Sequence, residues 1–153
     1  LDEYVGIDRN HEQSYWTFMH ENLFKGIDVK EENVHVPYGN TKADCEAYEK
    51  AMEDYSVDIQ VLGIGANGHI GFNEPGTPFD EETHIVTLTE KTRQDNARFF
   101  EGDINKVPTH AITMGIATIM KAKKILMVAT GENKADAIKA MVVDEAAASK
   151  LSK

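Results

Sequence analysis

His69 and Glu74, five residues apart in "HIGFNE", are of the two types that together move protons near neutral pH. Imidazole takes and returns a proton there, and a carboxylate held against its second nitrogen fixes the tautomer and stabilises the charged ring. The turn between them permits contact, although a solvated histidine beside a solvated glutamate satisfies the spacing equally well. Asp2, in "DEYVG", stands at what reads as the carboxyl end of a strand. There it is a candidate general base, or a plain turn carboxylate in an acidic chain. A metal site has little support: the H-E-x-x-H spacing is absent, the other histidines are scattered, and Cys45 is the single cysteine.

The backbone that must carry these groups is glycine-rich. Gly63, Gly65 and Gly68 follow the apolar run "IQVL" with the G-x-G-x-x-G spacing of a dinucleotide-binding turn. Such a turn needs its third glycine to open a helix whose N-terminus faces the pyrophosphate. Gly68 leads instead into "HIGFNEPGTP", where Gly71, Pro75, Gly76 and Pro78 forbid a helix, and the acidic residue required about 20 positions on finds only the turn "DEE". The segment is therefore read as an irregular turn at a strand's carboxyl end that presents Asn67, His69, Asn73 and Glu74.

Around that turn the hydrophobic period alternates. Tyr15, Met19 and Leu23, widened by Trp16 and Phe24, predict one helix, and Cys45, Tyr48, Met52 and Tyr55 predict a second after a short strand "NVHV". "DIQVLGIG" reads as a strand buried on both faces, "HIVTLT" as another, and "TEKTRQDNARFF" as a helix with Thr89 as N-cap. "AITMGIATIM" passes from strand into helix, "KKILMVATG" is a buried strand, and "ENKADAIKAMV" is a helix with Ala137, Ala140 and Met141 on its apolar face. Strands alternating with helices predict an α/β fold with a mainly parallel sheet covered on both faces and ligands at the strands' carboxyl ends.

The 153 residues suit a single domain spanning 1–153. The opening "LDEYVG" reads as the end of a strand whose beginning is missing, so that domain is expected to be incomplete. A net charge of -10, without a basic block, repels nucleic acid and anionic membranes, and no run reaches the length of a membrane helix. A small-molecule ligand and a cytoplasmic setting are the expectation.

"LDEYVG", "GIGANGHIGFNEPG", "TRQDNARFF", "VPTHAITMGIATIM" and "GENKADAI", in this order, closely resemble the glucosamine-6-phosphate deaminase family over nearly the whole chain. The related 6-phosphogluconolactonases share a G-x-G-x-D-G-H turn but do not continue into F-N-E-P. The resemblance implies a three-layer α/β/α sandwich with a Rossmann-like sheet. It implies hydrolytic deamination with aldose–ketose isomerisation of D-glucosamine 6-phosphate to D-fructose 6-phosphate and ammonia, without cofactor or metal. It assigns ring opening to His69, oriented by Glu74 and Asn67, and C2-to-C1 proton transfer to Asp2. Arg98 and Lys134 fall on its phosphate-binding arginine and lysine. Many members carry Asp where this chain has Asn67. The allosteric members, which N-acetylglucosamine 6-phosphate activates, carry Arg and Lys where this chain has His84 and Val86, so activation is not expected here. A lactone hydrolase and a non-catalytic sugar-phosphate sensor are the alternatives, and the assembly is expected to be a monomer or a homo-oligomer.

Overall fold

Three hydroxyls start three helices. Ser14 accepts from the Thr17 N–H and opens α1 (Tyr15–Asn22); Thr41 and Asp44 form a reciprocal capping box at α2 (Lys42–Glu53); Thr89 accepts from the Thr92 N–H and opens α3 (Glu90–Asn96). The computed structural model describes residues 1–143, and within them α4 (Ile116–Met120) and α5 (Ala135–Val142) complete the α-helices. The strands are β1 (Glu3–Tyr4), β2 (Ile59–Leu62), β3 (His84–Thr87), β4 (His110–Thr113) and β5 (Lys124–Met127).

β2 and β5 pair in parallel from Ile59↔Lys124 to Leu62↔Met127. β1, β4 and β3 form a second sheet in that order, and both of its pairings are antiparallel, with Glu3 opposite Ile112 and Ile85 opposite Ile112. Among the described residues the α/β expectation therefore holds, while the pairing is more mixed than the mainly parallel sheet predicted. The connection explains it. The chain leaves β3 at Leu88 and returns at Thr109, and the Leu88 N–H donates to the Thr109 carbonyl at 2.9 Å. A connection that closes on itself at one end of a strand returns the next strand in the opposite direction.

The larger core gathers Tyr4, Leu88, Phe100, Val107 and Ala111, with Tyr15 and Phe72 packed against it; a smaller one joins Tyr48, Met114 and Ile119 to Leu62 and Ile70. Three expectations fail here. "NVHV" is not a strand: Val34 and Val36 are buried, but their backbone pairs with no strand among the described residues. Nor are the two parallel strands buried on both faces. Ile59 is 58% exposed, Val61 59% and Leu126 53%, because a two-stranded sheet leaves one apolar face without partners among the described residues. Tyr55, expected on the buried face of α2, lies beyond its end and is exposed.

Candidate active site

β1 and β4 place the first carboxylate. Their register sets Asp2 beside the end of β4, where Asp2 Oδ1 accepts from the Thr113 hydroxyl at 2.6 Å and from the Met114 N–H at 3.2 Å. The same Thr113 hydroxyl accepts the Phe72 N–H at 3.1 Å and so ties the glycine-rich turn to the strand. Gly71 makes that approach possible. It sits at φ +59, and a Cβ there would lie 2.9 Å from Thr113 Oγ1 and 3.1 Å from Asp2 Oδ2.

The turn leaves β2 and folds back on itself, with the Gly65 N–H donating to the His69 carbonyl at 2.8 Å and Ile70 and Asn73 pairing through both backbone bonds. A Cβ on Gly65 would lie 2.3 Å from the His69 ring, so the imidazole rests directly on bare backbone. Asn73 is buried and structural. Its amide donates to the carbonyls of Ile70 at 2.9 Å and Met114 at 2.7 Å, holding the turn against β4.

The direct His69–Glu74 contact permitted by the spacing is not made. Asn67 stands between them: His69 Nδ1 lies 2.7 Å from Asn67 Oδ1, and Asn67 Nδ2 donates to Glu74 Oε2 at 2.7 Å. An ionised carboxylate only accepts, so the Asn67 group facing Glu74 must be its NH2. The amide oxygen is left for His69, which therefore carries its proton on Nδ1 and keeps Nε2 as the basic nitrogen. Glu74 Oε1 accepts the Thr92 hydroxyl at 3.0 Å.

Asp2, His69 and Glu74 line one cavity of about 170 Å³, together with Tyr15, Thr92 and Asp95. No lysine or arginine lines it among the described residues. Burial, and then the nearby Tyr4 and the Asp2 charge, hold the Tyr15 phenol well above the ordinary tyrosine range, so it stays a neutral group. Tyr15 and Thr92 were legible only as a helix-stripe aromatic and a first-turn hydroxyl. A tyrosine at the first residue of a helix, where its hydroxyl need not enter the core, was the available signal.

The two expected phosphate ligands lie elsewhere. Arg98 is exposed in the 3-10 turn Ala97–Phe99, its guanidinium 4.7 Å from the Phe99 ring centre, and Lys134 is half-buried at the end of the turn Glu132–Lys134. Neither lines the cavity that holds Asp2 and His69.

An α/β frame that brings a strand-end carboxylate and an imidazole on a glycine-rich turn to one cavity defines a class of sugar-phosphate proteins, and residues 2–151 match it: the chain belongs to the glucosamine-6-phosphate isomerase/6-phosphogluconolactonase family. Within that family it is 57% identical over 142 residues to a glucosamine-6-phosphate deaminase of Lysinibacillus sphaericus, covering 90% of this chain and 60% of the relative. It is 54% identical over 152 residues to one of Halalkalibacterium halodurans, covering 95% and 61%. The chain thus spans about 60% of the length of the curated relatives it matches. Among solved structures it resembles a monomeric glucosamine-6-phosphate deaminase with a TM-score of 0.87 at 46% identity, over 93% of this chain and 60% of that one. A 6-phosphogluconolactonase from Thermotoga maritima shares the fold alone, with a TM-score of 0.69 at 19% identity.

Proposed function

We propose that the complete protein converts D-glucosamine 6-phosphate and water to D-fructose 6-phosphate and ammonia. The observation that carries this reading is the charge of the cavity. Asp2 and Glu74 line it, Asp95 at its edge is paired with Lys91 at 3.1 Å, and no lysine or arginine lines it among the described residues, which suits an amino sugar that brings its own ammonium group. A sugar lactone carries no ammonium group to set against these carboxylates, and the lactonase of Thermotoga maritima shares the fold alone.

In this reading His69 Nε2 takes the C1 hydroxyl proton and delivers it to the ring oxygen, opening the pyranose ring. Asp2 then removes the C2 proton, acidified by the C1 aldehyde and the ammonium nitrogen, and returns it to C1. Water replaces nitrogen at C2, and ammonia leaves. Asp2 suits the task because Thr113 and the Met114 N–H engage one oxygen, Oδ1, and leave Oδ2 for the substrate. Arg98 and Lys134 are proposed to meet the phosphate at a distance from the reacting carbons, in a single domain of which residues 1–153 form part. Because the substrate is an intracellular sugar phosphate, the protein is placed in the cytoplasm.

The test is ammonia release from glucosamine 6-phosphate by the complete protein and its Asp2→Asn variant. The expected loss is about 100-fold or more in kcat, with binding kept, and deuterium from heavy water should enter the sugar only with the parent protein. Undiminished turnover by the variant would remove Asp2 from the reaction; lactone hydrolysis without ammonia release would favour the alternative.

A further inference from the structure

The two oxygens of Asp2 are held differently. Oδ1 accepts from the Thr113 hydroxyl at 2.6 Å and from the Met114 N–H at 3.2 Å, while Oδ2 takes no hydrogen bond among the described residues. Directions are fixed on both sides of the hydroxyl. An ionised carboxylate only accepts and the Phe72 N–H only donates, so the Thr113 hydrogen points at Asp2 and the Thr113 oxygen receives Phe72 at 3.1 Å. Thr113 itself is fully buried. We infer that Thr113 is a positioning residue that makes Asp2 a one-sided base: with its hydroxyl and the Met114 N–H both on Oδ1, the proton taken from C2 goes onto Oδ2 and stays there until C1 receives it.

Transfer between neighbouring carbons requires that one-sidedness. The C2–H bond breaks with its proton on Oδ2 and its electron pair in a C1=C2 double bond, and the C1 carbonyl oxygen ends as a hydroxyl whose proton the nitrogen gives up. The Oδ2–H bond then breaks and a C1–H bond forms, leaving an iminium at C2 for water to hydrolyse. In between, Asp2 is a neutral acid, and half a turn about its Cβ–Cγ bond would carry the proton away from the sugar. That turn is opposed. The protonated oxygen would face two donors, and of the three hydrogens then gathered there one would be left without an acceptor beside a fully buried side chain, which is the costly arrangement for a polar group. The Met114 N–H keeps its place whatever residue stands at 113, but it is the longer of the two bonds, so removing the hydroxyl weakens the hold without abolishing it.

This role of Thr113 rests on the reading of Asp2 as the base. Its test uses the complete protein as parent, Thr113→Val and Thr113→Ser, with glucosamine 6-phosphate carrying deuterium at C2 turned over in ordinary water to low conversion. Valine keeps the shape and removes the hydroxyl; serine keeps the hydroxyl. The share of product with deuterium at C1 is read by NMR, and as a ratio within the product it does not depend on how much of a variant is folded. The parent and the serine variant should deliver a measurable share to C1, whereas Thr113→Val should lower that share about threefold or more and kcat about tenfold, with KM little changed. An undiminished share in Thr113→Val overturns the inference even where kcat falls, and so does an equal loss in the serine variant or a parent that delivers none. A parent that releases no ammonia overturns the functional reading, and the inference with it.

Discussion

Asn67 separates two groups that a carboxylate could join only by sharing a proton. It gives its NH2 to Glu74 and its oxygen to His69, each at 2.7 Å. In Asn67→Asp, two carboxylates would face one another at that distance, and like charges so close cannot both ionise at ordinary acidity. The pH dependence of kcat/KM should then gain an ionisation absent from the parent, moving one limb by at least about one pH unit. Superimposable profiles would show that Glu74 and residue 67 are not coupled in the complete protein. The types and spacing of Asp2, His69 and Glu74 were legible in the sequence because the turn between His69 and Glu74 is short and its glycines are explicit. The intervention of Asn67 was not, because spacing says that two side chains can meet and nothing about which third one fits between. Thr92 and Tyr15 were hidden for a different reason: their sequence neighbours are helix positions, and only the close approach of β1, the turn and α3 makes them part of a cavity.

At the next scale, elements are joined by buried carboxylates. Glu49, on the inner side of α2, accepts from the Thr83 N–H at 2.9 Å, from the hydroxyls of Thr83 and Thr118, and from Lys121 at 3.3 Å, fastening α2 to the start of β3 and to α4. Burial alone would raise its pKa, but the Thr118 and Thr83 bonds and Lys121 together bring it below the ordinary glutamate value. A depressed folded-state pKa contributes stability that is present above the unfolded value and is lost as pH falls through the folded one. Glu49→Gln should therefore cost about 1–3 kcal/mol at neutral pH, and the gap between variant and parent should close in acid; denaturant titrations across that range measure it. Glu3 does comparable work for α1, with its fully buried carboxylate accepting the Tyr15 and Trp16 N–H groups at 3.0 Å each. The start of α3 was legible because Thr89 declares it locally. Strand burial was not: an apolar run such as "IQVL" states what a strand needs, whereas the covering layer is supplied by residues elsewhere in the chain.

Over the whole molecule, charge and regulation follow from what the sheet carries. His84 and Val86 stand on β3, where the allosteric relatives implied by the resemblance have cations. His84 Nδ1 lies 2.7 Å from the Glu82 carbonyl, and Val86 packs against the larger core. An effector shifts an equilibrium only through differential affinity for two states, and this strand offers a second phosphate no fixed cation at either position. Rate against substrate should be hyperbolic and unchanged by N-acetylglucosamine 6-phosphate; sigmoidal curves that the compound straightens would place an effector site elsewhere. The Thr113 hydroxyl has a further consequence. It bonds Asp2, 111 positions away in sequence, and the Phe72 N–H, 41 positions away, so three distant stretches of chain meet at one oxygen. Closing loops of that length is an entropic cost met late in folding, whereas the capped helices need only their own neighbours. During refolding, helical order should therefore precede any capacity for proton transfer, and a chain arrested before the last closures would be largely structured and chemically silent.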